Sequence, residues 1–294
     1  MKSIIFTLPG NETLGEKLTT GLNAEKGNFH IHRFPDGESY VRVESLVEAK
    51  DVIVLCTLHE PDNKILQLYF LCKLLKELKA QRVILIAPYL AYMRQDKRFN
   101  PGEAITSSYF ASLISGFADE LITIDPHLHR RNTLSEIYSI PSQVIHAADH
   151  ISNWIKNNIE KPVLVGPDSE SEQWVSDVAK KANAPYIVLE KIRKGDRDVK
   201  VSVPQVEPFK NFTPVLVDDI ISTARTMIET VYHLKSAGLK PAICIGVHAV
   251  FANNAYQELM KAGVTSIITC NTIQHTSNQI DLSDKILSLL KNNQ

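Results

Sequence analysis

The stretch from Val215 to Thr226 carries the residue types with the clearest chemical use. Three apolar residues predict a buried strand, Asp218 and Asp219 follow at its carboxyl end, and an amphipathic helix begins a few residues later. Ionised carboxylates only accept hydrogen bonds, which suits vicinal hydroxyls such as those of a ribose. The intervening turn would expose backbone N–H groups at the positive end of the helix dipole, which suits a phosphate. The stretch therefore predicts a sugar-phosphate site, although an acidic pair that only caps the next helix fits the same pattern.

Two further segments carry more positive charge than a simple connection needs. The five positions from Arg94 to Arg98 hold three cations after a predicted buried strand, and guanidinium groups match phosphate oxygens well. Lys191 and Arg193 alternate along an extended segment, so both side chains can point toward a common charge. Ordinary solvated surface charge is the alternative interpretation of both segments.

Histidine and aspartate residues at two other strand ends suggest a divalent ion. His127 follows Asp125 closely after one strand, and Asp168 follows another. An imidazole and a carboxylate in these positions could serve a metal ion together with substrate phosphates. A structural histidine and a helix-capping aspartate are the alternatives.

Length and composition limit the class of protein. A chain of 294 residues exceeds a typical single domain, which favours two domains. A net charge of −1 argues against nucleic-acid binding. The four cysteines are scattered in apolar runs, which predicts core thiols in a reducing compartment. The sequence shows neither a signal peptide nor a membrane span, so we expect a cytoplasmic protein with no membrane partner.

Strands alternate with helices along the whole chain, which predicts an α/β fold with parallel sheets. The strand pair at 52–56 and 83–87 is spaced nearly like the pair at 215–217 and 242–247. We therefore predict two similar domains, 1–145 and 146–294, each a mostly parallel sheet flanked by helices. An Asp-Gly turn between two short strands predicts a β-hairpin from Phe29 to Val43.

Taken together, these segments resemble the ribose-phosphate pyrophosphokinases over nearly the full length of the chain. A single motif would be weak, but six occur in the family's order at compatible spacings. The family's domains are of the phosphoribosyltransferase type. The motifs are Phe34-x-Asp-Gly-Glu38, Pro88-Tyr89 followed by Tyr92-x-Arg94-Gln95-Asp96, Asp125-x-His127, Pro167-Asp168, Lys191-x-Arg193, and Asp218-Asp219 through Thr226.

The resemblance implies a reaction that moves the diphosphoryl group of ATP to the 1-hydroxyl of ribose 5-phosphate, with Mg²⁺ as cofactor. It implies ATP binding by Phe34, Asp36, Gly37, Glu38, Arg94, Gln95 and Lys97. It implies metal binding by His127 and Asp168, and catalysis by Lys191 and Arg193 on a mobile loop. It implies ribose 5-phosphate binding by Arg193, Asp218, Asp219, Ser222, Thr223, Ala224, Arg225 and Thr226. It also implies a homo-oligomer, dimer or hexamer, in which Phe34 reaches a neighbouring subunit's ATP.

The sequence departs from the family pattern at three places. Two carboxylates within 169–172 replace a usual glycine pair, Ala224 and Arg225 stand where glycine is common, and Asn271 replaces a common aspartate. Two other functions therefore stay open. One is a catalytically silent homologue that acts as a regulatory or assembly subunit. The other is a phosphoribosyltransferase, which would leave the 94–98 loop unexplained.

Overall fold

The alternation of apolar strands and helices builds two parallel sheets. The computed structural model describes residues 3–128, 130–166, 171–194, 198–202 and 207–292. The chain divides into two compact units, the first comprising Met1–Ile145 with Ser283–Gln294 and the second comprising His146–Leu282. Each unit contains one six-stranded sheet in which every neighbouring pair of strands is parallel, so the predicted α/β class is confirmed.

The first unit consists of one sheet, one hairpin and flanking helices. The sheet strands are β1 (Ile4–Thr7), β2 (Glu25–Lys26), β5 (Asp51–Leu55), β6 (Arg82–Ala87), β7 (Glu120–Ile124) and β8 (Ser142–Ile145). They lie in the order β2-β1-β5-β6-β7-β8. The predicted hairpin is confirmed as the antiparallel pair β3 (Phe29–Arg33) and β4 (Ser39–Val43). The helices are α1 (Glu12–Leu22), α2 (Ile65–Glu77), α3 (Thr106–Ser115) and α8 (Ser283–Asn292).

The second unit repeats this strand order. Its sheet strands are β9 (Pro162–Gly166), β10 (Tyr186–Val188), β13 (Thr213–Ile221), β14 (Ile243–Ala249), β15 (Ser266–Cys270) and β16 (Asn278–Ile280). They lie in the order β10-β9-β13-β14-β15-β16. A separate antiparallel pair consists of β11 (Glu190–Lys194) and β12 (Asp198–Ser202). The helices are α4 (Ala148–Asn158), α5 (Glu172–Ala182), α6 (Arg225–Ser236) and α7 (Ala255–Lys261).

Burial explains why the central strands are continuous apolar runs. Residues 52–55 of β5 and 83–87 of β6 are all buried, as expected for parallel strands covered on both faces. Helix α2 covers one face with Leu68, Leu71 and Leu75, which recur at the helical spacing and are fully buried. The cores of the two units therefore lie between sheet and helices.

Strand β13 is longer than the sequence predicts. We expected it to end before the acidic pair, but Asp218 pairs with Gly246 and the pairing continues to Ile221 opposite Ala249. Aspartate is uncommon in strands, so the local sequence predicts that the strand ends with the apolar run. The seven-residue partner β14 supplies backbone hydrogen-bonding groups beyond that point and extends the strand. Both carboxylates consequently project from the sheet itself.

The predicted C-terminal domain also needs a correction at its end. Residues 283–294 were assigned to it, whereas α8 belongs to the first unit. A Cβ built on Gly21 of α1 would lie 2.5 Å from Leu287, so α1 and α8 are in close contact. The sequence pattern of α8 marks an apolar face but does not say which surface covers it.

The four cysteines are free and buried, which confirms the prediction of core thiols. Burial raises the pKa of Cys56 to about 12 and raises the pKa of Cys72 and Cys244 above the usual thiol range. Among the described residues, no helix has both the length and the apolar character that crossing a membrane requires.

One departure from the family pattern has a structural explanation. The Nδ2 atom of Asn271 donates a hydrogen bond to the Asp281 carboxylate at 2.8 Å, and its Oδ1 atom accepts one from the backbone N–H of Leu282 at 2.9 Å. An aspartate at position 271 would place a second carboxylate against Asp281. The amide is therefore matched to its neighbour.

We predict that Asn271→Asp lowers the free energy of unfolding by about 1–3 kcal/mol at neutral pH, because one hydrogen bond becomes a like-charge contact. Urea unfolding would measure the change. Asn253→Asp adds the same charge at an exposed position before α7 and serves as the control. Equal stability of the two variants would contradict the assigned role of Asn271.

Candidate active site

The loops that carry the predicted ligands of the first unit lie at one edge of its sheet, because parallel strands share the direction of their carboxyl ends. Backbone hydrogen bonds join these loops. The N–H of Leu58 after β5 donates to the carbonyl of Tyr89 after β6 at 3.0 Å, and the N–H of Leu8 after β1 donates to Leu55 at 2.9 Å. The edge is thus a continuous backbone surface with charged side chains on it.

The basic loop after β6 is organised around a buried carboxylate. The Asp96 side chain is only 3% exposed, and its Oδ1 atom lies 3.0 Å from Nη1 of Arg130. Arg131 donates to the Ser108 hydroxyl at 3.1 Å at the start of α3. Arg94 and Lys97 are exposed. Because Arg130 offsets the charge of Asp96, these exposed cations keep their positive field for a ligand.

A second carboxylate fixes the outer part of this loop. Glu103 accepts hydrogen bonds from the backbone N–H of Phe99 at 2.7 Å and from the side chain of Asn100 at 2.6 Å. These bonds, led by the Asn100 side chain, lower the pKa of Glu103. The amide of Gln95 donates to Glu103 at 3.3 Å and to the Lys97 carbonyl at 3.1 Å. Gln95, a predicted ATP ligand, therefore also holds the shape of the loop.

Aromatic and cationic groups meet on the solvent side of the loop. The Phe99 ring is 53% exposed, with the Lys97 ammonium 5.1 Å and the Arg130 guanidinium carbon 5.6 Å from its centre. Such cation–π contacts orient long side chains at little cost in hydration. The arrangement concentrates two cations beside Arg94 without burying them.

Tyr92 joins this loop to the connection after β5. Its hydroxyl donates a hydrogen bond to Asp62, which raises the pKa of Tyr92 to about 12 because the bond favours the neutral phenol. The adjacent Asn63 carbonyl accepts a hydrogen bond from Arg33 of β3 at 2.8 Å. The hairpin and the basic loop are thereby linked through the 61–63 turn.

The hairpin tip presents an aromatic ring to solvent. Phe34 is 44% exposed, so its side chain is not part of the hydrophobic core. Its ring contacts His32 and Tyr40 of the same hairpin at centroid distances of 5.1 and 5.9 Å. Asp36 accepts the N–H of Glu38 at 3.1 Å, and Gly37 has φ +95°, which only glycine adopts readily. The tip is a preformed turn with an exposed ring.

The connection after β7 carries the predicted metal ligand His127. Asp125 is 8% exposed and has φ +32°, an uncommon conformation for a residue with a side chain, and His127 is half-buried two residues later. The other predicted ligand, Asp168, lies outside the described residues. Within the described ranges, no group of three or more His, Cys, Asp or Glu side chains is placed to hold a metal by itself. Mg²⁺ is commonly bound by one or two carboxylates and completes its shell with substrate phosphates and water, so the assignment of His127 and Asp168 as its ligands stays a prediction.

The acidic pair of the second unit lies in β13 and leads into a strained turn. Asp218 and Asp219 are half-buried, and the N–H of Asp219 donates to Oδ1 of Asp218 at 3.0 Å. Ala224 precedes α6 with φ +55° and provides no side-chain cap. The N-cap position of α6 is therefore Ala224 and not one of the two aspartates. The first N–H groups of α6 have no partners within the helix and point toward the turn.

The remaining predicted ligands of this turn lie on its surface. Thr223 and Arg225 are exposed, and Ser222 and Thr226 are half-buried. Arg225 is the first residue of α6, where a cation is unfavourable beside the positive end of the helix dipole. A bound anion would turn that unfavourable placement into a favourable one.

Lys191 and Arg193 lie in the two-stranded pair of the second unit. Lys191 of β11 is opposite Val201 of β12, and Arg193 is opposite Val199. The predicted extended segment is thus half of an antiparallel ribbon separate from the main sheet. The sequence indicated the extended conformation but not the ribbon's second strand.

Sequence reasoning missed Arg130 and Arg131, although both contact the predicted basic loop. Two successive arginines soon after the end of β7 were the available signal. This signal does not predict the contact, because the partner Asp96 lies 34 residues earlier in the sequence. Only the parallel pairing of β6 and β7 brings the two loops together.

Comparison with known proteins accounts for both units. A family model described as the N-terminal domain of ribose phosphate pyrophosphokinase matches residues 3–117, and one described as a phosphoribosyl transferase domain matches residues 133–285. The ribose-phosphate pyrophosphokinase of Methanobrevibacter smithii is 30% identical, over 96% of this chain and 97% of the relative. That of Methanopyrus kandleri is 31% identical, over 98% and 99%.

A solved structure supports the same fold. The crystal structure of phosphoribosylpyrophosphate synthetase from Mycobacterium smegmatis superposes with a TM-score of 0.88, at 23% identity, covering 100% of this chain and 99% of that one. The first unit, which a phosphoribosyltransferase would leave unexplained, thus has a match of its own. From the motifs, the paired sheets and these relatives, the chain belongs to the ribose-phosphate pyrophosphokinase family.

Proposed function

We propose that the protein transfers the diphosphoryl group of ATP to the 1-hydroxyl of ribose 5-phosphate, giving phosphoribosyl pyrophosphate and AMP. The observation that carries the proposal is the relation of the chain, over almost its whole length, to enzymes named ribose-phosphate pyrophosphokinase. In agreement with it, a basic loop and an acidic, hydroxyl-bearing turn lie at the carboxyl edges of the two sheets. The oxygen of the 1-hydroxyl attacks the β-phosphorus. The bond from that phosphorus to the α-bridging oxygen breaks, and the hydroxyl proton is released.

The basic loop is proposed to bind the ATP phosphates. Arg94 and Lys97 are exposed, Lys97 lies over the Phe99 ring, and the buried carboxylate of the loop is already paired with Arg130. Guanidinium and ammonium groups neutralise a polyphosphate chain by charge-assisted hydrogen bonds. Phosphoryl transfer needs little from the protein beyond such positioning and neutralisation.

The turn after β13 is proposed to bind ribose 5-phosphate. Asp218 and Asp219 are half-buried and acceptor-only, so they would receive hydrogen bonds from the ribose hydroxyls. The first turn of α6 and the hydroxyls of Ser222 and Thr226 would receive the 5-phosphate. Magnesium, when bound with the help of His127 and Asp168, supplies additional positive charge to the phosphate oxygens.

We predict that turnover will depend on Lys191. Lys191→Ala should lower kcat by roughly 10²-fold, the scale of losing one group that stabilises transition-state charge. Release of AMP from ATP, ribose 5-phosphate and magnesium is the assay. Lys235→Ala, at an exposed lysine in the last turn of α6, is the control and should leave kcat unchanged.

The same assay separates the alternatives. A parent protein that releases no AMP under these conditions would contradict the proposed reaction and favour the silent regulatory homologue. A parent that is active but loses less than a few-fold on Lys191→Ala would keep the reaction and remove Lys191 from catalysis.

A second prediction follows from the buried ion pair under the basic loop. Arg130→Met leaves the Asp96 carboxylate buried without its cation, so the loop must rearrange. We expect the KM for ATP to rise by about tenfold and the KM for ribose 5-phosphate to stay within twofold, because only the nucleotide loop is disturbed.

Arg82→Met is the matched control for this variant. Arg82 also pairs with carboxylates, Asp51 at 2.9 Å and Glu120 at 3.1 Å, but at the amino ends of the same strands. It should lower stability without changing the KM for ATP. Equal changes in KM from both variants would show that general destabilisation, not the loop, is responsible.

We also propose that the active site is shared between subunits of a homo-oligomer. The exposed Phe34 ring on a preformed tip is suited to stacking on a nucleobase of another chain, and the tip carboxylates can accept hydrogen bonds from its amino group. Within the described hairpin, the ring packs edge-on against His32 and Tyr40. The number of subunits, two or six, is a matter for measurement.

The shared site predicts complementation between inactive variants. Phe34→Ala and Lys191→Ala should each be nearly inactive alone, and mixing with subunit exchange should restore activity at sites that combine an intact tip with an intact catalytic strand. Mixing Lys191→Ala with the double variant Phe34→Ala/Lys191→Ala is the control, because no intact Lys191 is present. An inactive first mixture, after mass spectrometry has confirmed hetero-oligomers, would contradict a shared site.

A further inference from the structure

The loop after β14 is hydrogen-bonded to the turn that is proposed to bind ribose 5-phosphate. The backbone N–H of Phe251 donates to the carbonyl of Ile221 at 2.8 Å, and the N–H of Ala252 donates to the carbonyl of Ser222 at 3.1 Å. Ile221 is the last residue of β13, and Ser222 is the first residue of the turn. The loop after β14 therefore sets the positions of the last carbonyl of β13 and of the first carbonyl of the turn.

That loop has a backbone conformation that needs support. Phe251 has φ +39° and Asn253 has φ +55°. Positive φ is uncommon for a residue with a side chain and is an outlier for a bulky one. Such conformations persist where the surrounding structure holds them, and they cluster at binding and catalytic sites. The side chain of Phe251 shows what provides the support.

Phe251 packs against two other aromatic side chains, Tyr256 and His275. We call these three rings the aromatic clamp. The ring centre of Phe251 lies 4.6 Å from that of His275 and 5.3 Å from that of Tyr256, and the rings of His275 and Tyr256 are 4.9 Å apart. All three side chains are half-buried. Edge and tilted contacts at these distances are the favourable geometries for aromatic pairs.

His275 in turn is fixed by polar groups. Its Nδ1 atom accepts the backbone N–H of Ser277 at 3.1 Å, and its backbone N–H donates to Oδ1 of Asn278 at 2.9 Å. Ser277 and Asn278 both contact the Thr269 hydroxyl of β15 at 2.8 Å. Burial lowers the pKa of His275, which keeps the imidazole neutral. The clamp is thus anchored in the sheet.

We propose that Phe251, Tyr256 and His275 are positioning residues for ribose 5-phosphate, which hold the carbonyls of Ile221 and Ser222 without touching the substrate. The inference rests on the proposed function, because it assigns the substrate of the turn. A clamp of this kind fixes the distance between the acidic pair in β13 and the first turn of α6. Both must be in register for one sugar phosphate to contact them simultaneously.

The kinetic test compares two variants of Phe251. Phe251→Ala removes the ring and should raise the KM for ribose 5-phosphate by roughly tenfold or more, the scale of a small misplacement of a binding group. The KM for ATP should stay within twofold. Phe251→Tyr keeps the ring and should restore the parent KM. An equal rise in both KM values, or no rise at all, would overturn the proposal.

A matched control separates the clamp from ordinary packing. Phe212 forms an edge contact with Phe209 at 5.4 Å just before the amino end of β13, and it is half-buried like Phe251. Phe212→Ala should cost similar stability and leave the KM for ribose 5-phosphate unchanged. If Phe212→Ala raised that KM as much as Phe251→Ala, the effect would be general and the clamp would have no positioning role.

A measurement without turnover keeps the test independent of the proposed reaction. Hydrogen exchange of a peptide covering 249–254 should be faster in His275→Ala than in the parent, since the N–H groups of Phe251 and Ala252, which donate to Ile221 and Ser222, lose their support. Peptides of α5 should be unaffected. Unchanged exchange in 249–254 would overturn the clamp even if the enzyme is active. The parent protein itself could show neither turnover nor calorimetric binding of ribose 5-phosphate. In that case, faster exchange in His275→Ala would confirm the contact and refute the assigned substrate.

Discussion

Parallel pairing of strands is the constraint on which the rest of this structure depends. A parallel pair needs a crossover, usually a helix, and the loops after β1, β5, β6, β9, β13 and β14 each lead from a strand toward a helix. In the second unit, β9, β13, β14 and β15 pair in this way, and the loops after β13 and β14 become neighbours. Residues far apart in sequence, such as Ser222 and Ala252, meet for that reason alone.

The same constraint decides how charge is distributed at the edges. An unpaired carboxylate that is buried beneath a loop has a high desolvation cost. Asp96 is such a buried carboxylate, and Arg130 of the next loop neutralises its charge. At the amino ends of the same strands, Arg82 bridges Asp51 and Glu120. The amino edge is therefore internally balanced, whereas the carboxyl edge leaves Arg94 and Lys97 exposed for a ligand.

The sequence was sufficient to predict the structural features that depend on a local pattern of residues. Apolar runs predicted the central strands, the Asp-Gly turn predicted the β3–β4 hairpin, and the motif order predicted the family. It was insufficient where a distant partner decides the outcome. The extension of β13 through Asp218 depends on β14, the assignment of α8 depends on α1, and the contact of Arg130 with Asp96 depends on the pairing of β6 with β7. No local signal in the chain specifies those partners.

Positive φ at residues with side chains occurs at both edges of the sheets, for example at Lys79 and Lys161 before β6 and β9, and four cases lie in loops at the carboxyl edges. Tyr92, Asp125, Ala224 and Phe251 all have positive φ, and each lies in a loop that follows β6, β7, β13 or β14 at the carboxyl edge. Glycine would adopt these conformations more readily, yet each position carries a side chain, and three of the four lie within two residues of a predicted ligand, Arg94, His127 or Arg225. Tyr92 bonds to Asp62 beside the basic loop, Asp125 precedes His127, and Ala224 precedes Arg225. Phe251 is the fourth, and its ring is held by His275 and Tyr256. A strained residue persists only if its surroundings fix it, so these loops are rigid where a ligand must be met without rearrangement.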